Sequence, residues 1–231
     1  YVWLGTQTGV SRFDGSTFTS FSVENGLAPG AVRVLFTDRD DRIWMGHEGG
    51  GLTRYDGKLF ERILPSDSLI RSNITSISQG PDDQIWITTE LDGALRIKNP
   101  REPAAFFEYE HYLKGKSLGD QVFNSLVTSS GDHYFMTNAG IKKYNRSDNT
   151  FENYAPEGIF KFFPTSVMFE DSKGNLWFGT YNGGIKKLDK KENKFHFFDT
   201  RNGLASNWVT SIAEDRNGNL WFGHWQDNNN K

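Results

Sequence analysis

An aromatic pentad recurs along this chain at a nearly constant interval. The six copies are centred on Trp3, Trp44, Trp86, a degenerate Tyr134, Trp177 and Trp221. Their successive spacings are 41, 42, 48, 43 and 44 residues, close to the roughly 40–50 residues of one propeller blade. Such a unit cannot bury a core alone and has to stack on its neighbours. The recurring pentad therefore restricts the fold to architectures in which similar units stack on one another.

Each copy is flanked by segments typical of short antiparallel strands. An alternating or β-branched run and a polar turn precede the aromatic residue, as in AVRVLFTD (31–38). A Gly six or seven residues downstream opens a third run, as in GLTRYD (51–56), and a fourth run follows, as in KFHFF (194–198). Radial repetition of a four-stranded sheet is a propeller. The sequence predicts an all-β fold, a β-propeller built from four-stranded antiparallel blades.

The repeat also predicts how many blades the chain contains. We expect four complete blades and two partial ones within a single propeller segment, residues 1–231. The complete blades span about 31–64, 73–113, 122–154 and 165–199, and the partial ones about 1–22 and 208–225. An open arc exposes sheet faces that normally pack on neighbouring blades. We therefore predict that the isolated chain is marginally stable or associates.

Composition excludes several classes of function. The 26 basic and 29 acidic residues give a net charge of −3, which provides no electrostatic reason to expect a nucleic-acid partner. The chain has no Cys, so disulfides, zinc thiolates and thiol nucleophiles are excluded. No run approaches the roughly 18 apolar residues of a bilayer span, and we expect no membrane contact by this segment.

The residues that recur in every blade are interpreted as structural. An aromatic residue needed once per blade is normally used for packing between blades. Asp38, Asp171 and Asp215 open turns that are similar to calcium loops. A calcium loop needs about six oxygen ligands, including a distal bidentate Glu. No Glu stands at that distal position in these turns. We therefore expect these carboxylates to cap their own backbone, and we predict no metal and no cofactor.

The combined motif resembles the two-component regulator propeller repeat. Asn25-Gly26-Leu27 and Asn202-Gly203-Leu204 supply its opening element, VTSIAEDRNGNLWFG its centre, and Gly183-Gly184 its third-strand start. The resemblance covers essentially the whole chain. The blade at 114–155 departs most from the pattern, because it has lost the Trp and lacks the opening element.

This resemblance implies a location and partners. Such arrays form paired seven-bladed propellers in the periplasmic sensor region of hybrid histidine kinases, often in gut bacteria that use polysaccharides. By resemblance, the chain is a fragment of a seven-bladed ring in the extracytoplasmic part of an inner-membrane protein. The implied function is sensing of a glycan, an oligosaccharide or another small ligand. The implied partners are neighbouring propeller or sensor domains, with a homodimer in the full-length protein.

Residues that differ between blades are the better candidates for ligand contacts. In a four-stranded blade, the loop from the second to the third strand and the loop into the next blade emerge on one face, here called the loop face. Aromatic, amide and acidic groups there suit the recognition of sugars. The candidates are His47, Glu48, Glu90, Asp92, Tyr181, Asn182, Trp208, His224 and Trp225. Tyr181, Trp208 and Trp225 stand out, because exposed aromatic rings reduce solubility.

Two other functions stay open at the level of sequence. The segment GPDDQIWITT (80–89) resembles the repeat of streptogramin lyases, and a His such as His47 beside Glu48 could act as a general acid or base. Only that copy fits the lyase pattern well, so we predict that this segment is not an enzyme. The other alternative is a purely structural or dimerising propeller whose ligand binds elsewhere.

Overall fold

The computed structural model describes residues 1–63, 70–112, 118–119, 121–154, 159 and 165–225. Residues 64 and 113, at which two of the predicted blades end, lie outside this part of the chain. Within the described residues, the regular structure consists of β-strands and four single-turn 3-10 helices. None of the described helices is long and apolar enough to cross a membrane.

The strands form antiparallel sheets in which chain neighbours are also sheet neighbours. The first three sheets comprise β1 (Val2–Thr6), β2 (Gly9–Phe13) and β3 (Phe18–Phe21); β4 (Val32–Thr37), β5 (Ile43–His47), β6 (Leu52–Tyr55) and β7 (Phe60–Ile63); and β8 (Ile74–Gln79), β9 (Ile85–Thr89), β10 (Ala94–Ile97) and β11 (Tyr109–Tyr112). The next three comprise β12 (Val122–Val127), β13 (His133–Thr137), β14 (Gly140–Asn145) and β15 (Thr150–Asn153); β16 (Thr165–Glu170), β17 (Leu176–Thr180), β18 (Ile185–Asp189) and β19 (Lys194–Phe198); and β20 (Val209–Glu214) and β21 (Leu220–His224).

These sheets confirm the predicted all-β propeller fold. Four sheets have four strands, one has three and one has two within the described residues, as expected for four complete and two partial blades. In the third sheet, only the second half of the aromatic run 105–112 forms the fourth strand. A 3-10 helix, Ala104–Phe106, occupies the start of this run, and β11 begins at Tyr109.

The chain divides into two compact units, Tyr1–Ser125 and Leu126–Lys231. The first unit has one apolar cluster around Trp44, Ile77, Ile87 and Leu95, and another around Leu27, Val32 and Met45. The second unit has a cluster around Ile185, Val209 and Ile212. These cores follow from the alternation of the strands, which places every second side chain on one face.

The turn before each aromatic pentad requires a left-handed residue. The positions three before the aromatic have φ of 59° at Asp41, 64° at Asp83, 82° at Gly131, 80° at Gly174 and 81° at Gly218. Gly adopts this region without strain, and Asp tolerates it better than most residues. The preference for Gly or Asp at this place in the repeat therefore has a backbone cause.

An aspartate at the start of three of these turns bonds both to the turn and to the aromatic residue. In each, Oδ1 accepts two backbone N–H groups of its own turn. The other oxygen accepts the indole N–H, in the pairs Asp38–Trp44 (2.8 Å), Asp171–Trp177 (2.8 Å) and Asp215–Trp221 (3.0 Å). Hydrogen bonds from Asn219 and Trp221 lower the pKa of Asp215 to about 2. These carboxylates cap their own turns, as the sequence predicted.

Three of the six recurring aromatic residues are buried, and most of the six lie against a cation of the third strand. Trp44 and Trp86 are 0 % and 1 % exposed, and Tyr134 is 1 % exposed. The ring–cation pairs are Trp44–Arg54 (5.7 Å), Trp86–Arg96 (5.1 Å), Tyr134–Lys143 (5.9 Å) and Trp177–Lys187 (5.6 Å). Cross-strand register places these residues opposite one another, and the contact is a cation–π interaction. Trp221 differs, because 65 % of it is exposed.

Neighbouring sheets are joined by a recurring side-chain bond. The last residue of an inner strand accepts a backbone N–H from the turn of the preceding sheet. The bonds are Arg39 N to Gln79 Oε1 (2.9 Å), Ser129 N to Glu170 Oε2 (2.6 Å) and Ser172 N to Glu214 Oε2 (2.7 Å). We call these bonds inter-sheet clips. In each clip, a backbone N–H of a turn gains a hydrogen-bond partner, a side-chain oxygen of a Gln or Glu that lies one repeat further along the chain.

The Asn-Gly-Leu element is a capped turn. Asp199 and Asn202 form a capping box around the 3-10 helix Thr200–Asn202, and Asn202 Oδ1 accepts the Asp199 N–H at 3.0 Å. Gly203 follows with φ of 96°. Ser22 and Asn25 make the same box in the first unit. The element therefore forms a capped turn between one sheet and the next and fixes the direction in which the chain enters the next sheet.

Replacing Asn202 with Ala is expected to destabilise the second unit by about 1 kcal/mol, because the substitution removes one half of the capping box. Urea unfolding followed by circular dichroism measures the change. Asn217→Ala is the matched control, since Asn217 bonds to Asp215 through its backbone N–H and keeps that bond. Equal losses in the two variants would contradict a capping role for the Asn202 side chain.

Candidate ligand site on the loop face

A recurring backbone bond brings two loop-face positions together in several sheets. The residue after the second strand donates its N–H to the carbonyl of the residue before the first strand. This bond joins Glu48 to Ala31 (2.9 Å), Glu90 to Asn73 (3.0 Å) and Trp225 to Trp208 (2.9 Å). In two of these pairs the side chains are also in contact, through a hydrogen bond between Asn73 and Glu90 and through the rings of Trp208 and Trp225. In the last of these pairs, both are tryptophans.

Tyr181, Trp208 and Trp225 form one group of rings, here called the aromatic cluster. The Tyr181 and Trp208 centroids are 5.5 Å apart with an angle of 82° between the rings. The Trp208 and Trp225 centroids are 6.1 Å apart at 43°. The three side chains are 42 %, 38 % and 58 % exposed. Contact between the rings leaves a continuous aromatic surface open to solvent.

Hydrogen bonds from the surrounding loop hold the backbone of the aromatic cluster. Ser206 Oγ donates to the Trp225 carbonyl (2.9 Å) and accepts the Trp208 N–H (3.1 Å). The Asn207 carbonyl accepts the Gly184 N–H (2.9 Å), and Asn207 Oδ1 accepts the Thr200 N–H (2.9 Å). Gly184 has φ of 69°, and a Cβ there would lie 2.1 Å from the Phe198 carbonyl oxygen. A site held in this way loses little conformational entropy on binding.

Two more of the predicted candidates lie next to the aromatic cluster in the chain. His224 ends β21, pairs with Val209 and is partly buried. Its Nδ1 is buried and has no hydrogen-bond partner among the described residues. Asn182 follows Tyr181 in an exposed turn with φ of 65°. In the chain, each of them adjoins a residue of the aromatic cluster.

His47 occupies a different environment from the one that the sequence suggested. It was expected as a loop-face side chain, but it is 0 % exposed. Nδ1 lies 3.1 Å from the Gly30 carbonyl and Nε2 lies 3.0 Å from Thr53 Oγ1. Burial lowers the pKa of the imidazole. The ring therefore stays neutral and links the loop at Gly30 to strand β6 inside the first unit, and the expectation of a His47 side chain open to ligand on the loop face is corrected.

The acidic candidates of the first unit also have partners within the protein. The Glu48 carboxylate lies 3.4 Å from Arg33 Nη1, and Glu90 Oε2 accepts the Asn73 amide N–H at 2.7 Å. Asp92 Oδ2 accepts the Arg71 N–H, the Ser72 N–H and the Ser72 hydroxyl at 2.7–2.9 Å. Burial alone would raise the pKa of Asp92, but these donors bring it below its usual value. Asp92 thus fixes two loops together.

The structure identifies one supporting residue that sequence reasoning missed. Ser206 bonds to both tryptophans of the aromatic cluster, although it carries no motif of its own. Its position two residues before Trp208 is a signal that could have found it, because Ser commonly accepts the N–H of a residue two further along. Its bond to Trp225 has no comparable local signal.

One group of side chains among the described residues has ligand atoms close enough to share a metal ion. Ligand atoms of Asp189, Glu192 and His196 lie within 4.8 Å of one another. Asp189 Oδ1 already accepts the N–H groups of Lys191 and Glu192, and Oδ2 lies 3.1 Å from Lys187 Nζ. A cation would compete with an ammonium group for this carboxylate. We assign no metal to this group.

Comparison with known proteins agrees with the fold and the repeat. The family model described as the two component regulator propeller matches residues 164–182 and 203–226. A search of curated proteins gives no significant match. Among solved structures, PorZ of Porphyromonas gingivalis, described as a surface component of the type-IX secretion system, has a TM-score of 0.79 at 16 % identity. The match covers 96 % of this chain and 36 % of PorZ.

Two further structures share the fold. The extracellular domain of a protein described as a hybrid two component system from B. thetaiotaomicron has a TM-score of 0.54 at 18 % identity, covering 96 % of this chain and 37 % of that one. Virginiamycin B lyase from Staphylococcus aureus has a TM-score of 0.70 at 16 % identity, covering 94 % and 70 %. The chain thus spans little more than a third of the length of PorZ and of the two component system domain. Its similarity to the two component regulator propeller model extends over residues 164–182 and 203–226.

Proposed function

We propose that this chain is part of a ligand-sensing propeller of a two-component signal-transduction regulator that responds to a glycan or oligosaccharide. The family repeats and the fold shared with an extracellular two component system domain support the sensor assignment. They also support a periplasmic location, in the extracytoplasmic part of an inner-membrane protein. We further propose neighbouring propeller or sensor domains and a second copy of the full-length chain as partners.

The aromatic cluster is the observation that supports a glycan or oligosaccharide as the ligand. The face of an aromatic ring is electron-rich, and the C–H groups on one side of a pyranose ring pack against such a face. Amide and imidazole groups beside the rings, at Asn182 and His224, can bond to sugar hydroxyls. Pockets that combine aromatic surface with a few polar groups are typical of small-molecule recognition.

The contacts of the histidines favour binding over catalysis. A lyase shares the fold, but fold alone does not carry an activity. Both nitrogens of His47 are bonded within the protein. Among the described residues, one His–carboxylate pair is close enough for an ionic contact. It joins His196 Nε2 to Glu192 Oε2 at 3.9 Å, and both side chains lie at solvent-accessible outer positions. We therefore propose that this segment is not an enzyme.

Replacing Trp208 with Ala is expected to weaken glycan binding by about tenfold or more, because central aromatic residues dominate binding energies. Isothermal titration calorimetry of the complete sensor region against plant, host and microbial oligosaccharides measures the effect. Trp221→Phe is the matched control, since Trp221 is exposed but lies outside the aromatic cluster, and its affinity is expected to be unchanged.

The same measurements separate the alternatives. No binding across the panel, with the fold confirmed by circular dichroism, would overturn direct glycan binding. Retained signalling in the Trp208→Ala variant would instead support a structural or dimerising propeller with the ligand bound elsewhere. Turnover of a bound glycan, lost on replacement of His224, would support an enzyme.

A further inference from the structure

We infer that the aromatic cluster selects a soluble, uncharged oligosaccharide over charged or crystalline glycans. The inference rests on the proposed function and narrows its ligand class. Two independent features carry it, namely the charge of the loops that hold the rings and the angles between the rings.

Among the described residues, the loops that carry the aromatic cluster contain one ion pair and no other charged side chain. Residues 180–184 and 223–225 contain no Asp, Glu, Lys or Arg. Segment 199–209 contains two charged residues, Asp199 and Arg201. Arg201 Nη2 lies 2.5 Å from Asp199 Oδ2, and Arg201 Nε lies 3.0 Å from the same oxygen. This pair neutralises itself in a bidentate contact.

A sulfate or uronate group would therefore lose water without gaining a cationic partner. Recognition of such anions normally uses Arg or Lys in charge-assisted hydrogen bonds. An anion that approached Arg201 would also approach the Asp199 carboxylate, which lies against the same guanidinium and would repel it. A neutral sugar avoids both the loss of a charged group's hydration and the repulsion by Asp199. Its hydroxyls can bond to amide and imidazole groups.

The ring angles exclude a flat ligand. A crystalline polysaccharide presents a plane, and only coplanar rings can contact it together. Here the angles between neighbouring rings are 82° and 43°. The centroid separations of 5.5 Å and 6.1 Å are comparable to the length of one sugar unit. Successive units of a bent, soluble chain can thus each meet a different ring.

Calorimetry with oligosaccharides of matched length tests the charge argument. The complete sensor region is titrated at a fixed pH with neutral, uronate-containing and sulfated members of the panel. We expect the neutral members to bind at least about tenfold more tightly. Their Kd is expected to stay within about twofold between low and high NaCl, because no ion pair is there to be screened.

Length and physical state test the geometric argument. Affinity is expected to rise from mono- to trisaccharide, and Trp225→Ala is expected to remove the gain from the added unit. Tyr181→Ala is expected to weaken binding, whereas Trp221→Phe, at an exposed residue outside the aromatic cluster, is expected to bind like the wild type. Retention on an insoluble polysaccharide of the same composition is expected to be negligible.

The outcomes distinguish this inference from the proposed function. Preferential binding of sulfated or uronate glycans, a Kd that weakens steeply with salt, or selective retention on the insoluble polymer would overturn the inference and leave a glycan sensor intact. Absence of binding to every glycan class would overturn both. Binding of neutral oligosaccharides that Trp208→Ala does not weaken would place the ligand outside the aromatic cluster and overturn the inference alone.

Discussion

Replacing Trp44 with Ala is expected to lower the free energy of unfolding by about 3–5 kcal/mol, the usual cost of truncating a large buried aromatic residue. Trp44 is 0 % exposed, donates to Asp38 and packs against Arg54. Its ring also stacks on Phe107 at 6.1 Å. The substitution would open a cavity, remove one of the hydrogen bonds to the buried Asp38 carboxylate, which keeps its bonds to Asp40 and Arg42, and remove one aromatic partner of the Arg54 guanidinium.

Urea unfolding followed by far-ultraviolet circular dichroism measures this loss. Trp221→Ala is the matched control, because it removes the same side chain from an equivalent position of the repeat that is 65 % exposed. The control is expected to cost under about 1 kcal/mol. A similar loss in the two variants would contradict the view that burial, and not the repeat position itself, decides the contribution of each Trp.

Acidification from pH 7 to pH 4.5 is expected to remove about 2–3 kcal/mol of stability through His133 alone. The side chain is 3 % exposed, and its ring lies 4.2 Å from that of Phe135. Burial lowers its pKa from 6.5 to about 3. The folded protein keeps His133 neutral, whereas the unfolded chain takes up a proton below pH 6.5. The contribution is fully present above that pH and is lost as the pH falls towards 3.

The comparison of wild type with His133→Gln isolates this effect. Carboxylates that titrate in the same range are common to both proteins, so they cancel in the difference. The unfolding free energy of the wild type is expected to fall more steeply with decreasing pH, by close to one additional proton. Parallel pH profiles would show that His133 is protonated in the folded state.

Regular spacing is what made the fold predictable from the sequence. The aromatic pentads fixed the sheets, and the left-handed turns at Asp41 and Gly174 followed from residue type alone. The predicted packing role of the recurring aromatics holds for Trp44 and Trp86. Each of these features depends on neighbours a few positions away in the chain, which is the range over which residue patterns carry structural information.

Contacts between distant segments limited the prediction of the candidate site. His47 was expected on the loop face because of strand alternation, yet Gly30 and Thr53 enclose its ring. Asp92 was predicted as a ligand residue, and its carboxylate also accepts hydrogen bonds from Arg71 and Ser72, which no local pattern predicted. The three aromatic residues that stood outside the repeat did come together. Their grouping required the backbone bond between Trp208 and Trp225, which no local pattern displays.

The inter-sheet clips determine how a disturbance spreads through the chain. Each joins a turn to the very next sheet, as Ser172 does to Glu214 and Ser129 to Glu170. Coupling of this kind acts between nearest neighbours, so the stability of the array is approximately a sum of local terms and interface terms. A ligand that orders the sheet of β20 and β21 would therefore transmit its effect first to the sheet of β16–β19, through Ser172. The change in stability caused by such a ligand would therefore pass from each sheet to its neighbour, and it would become smaller at every interface where the coupling is weak.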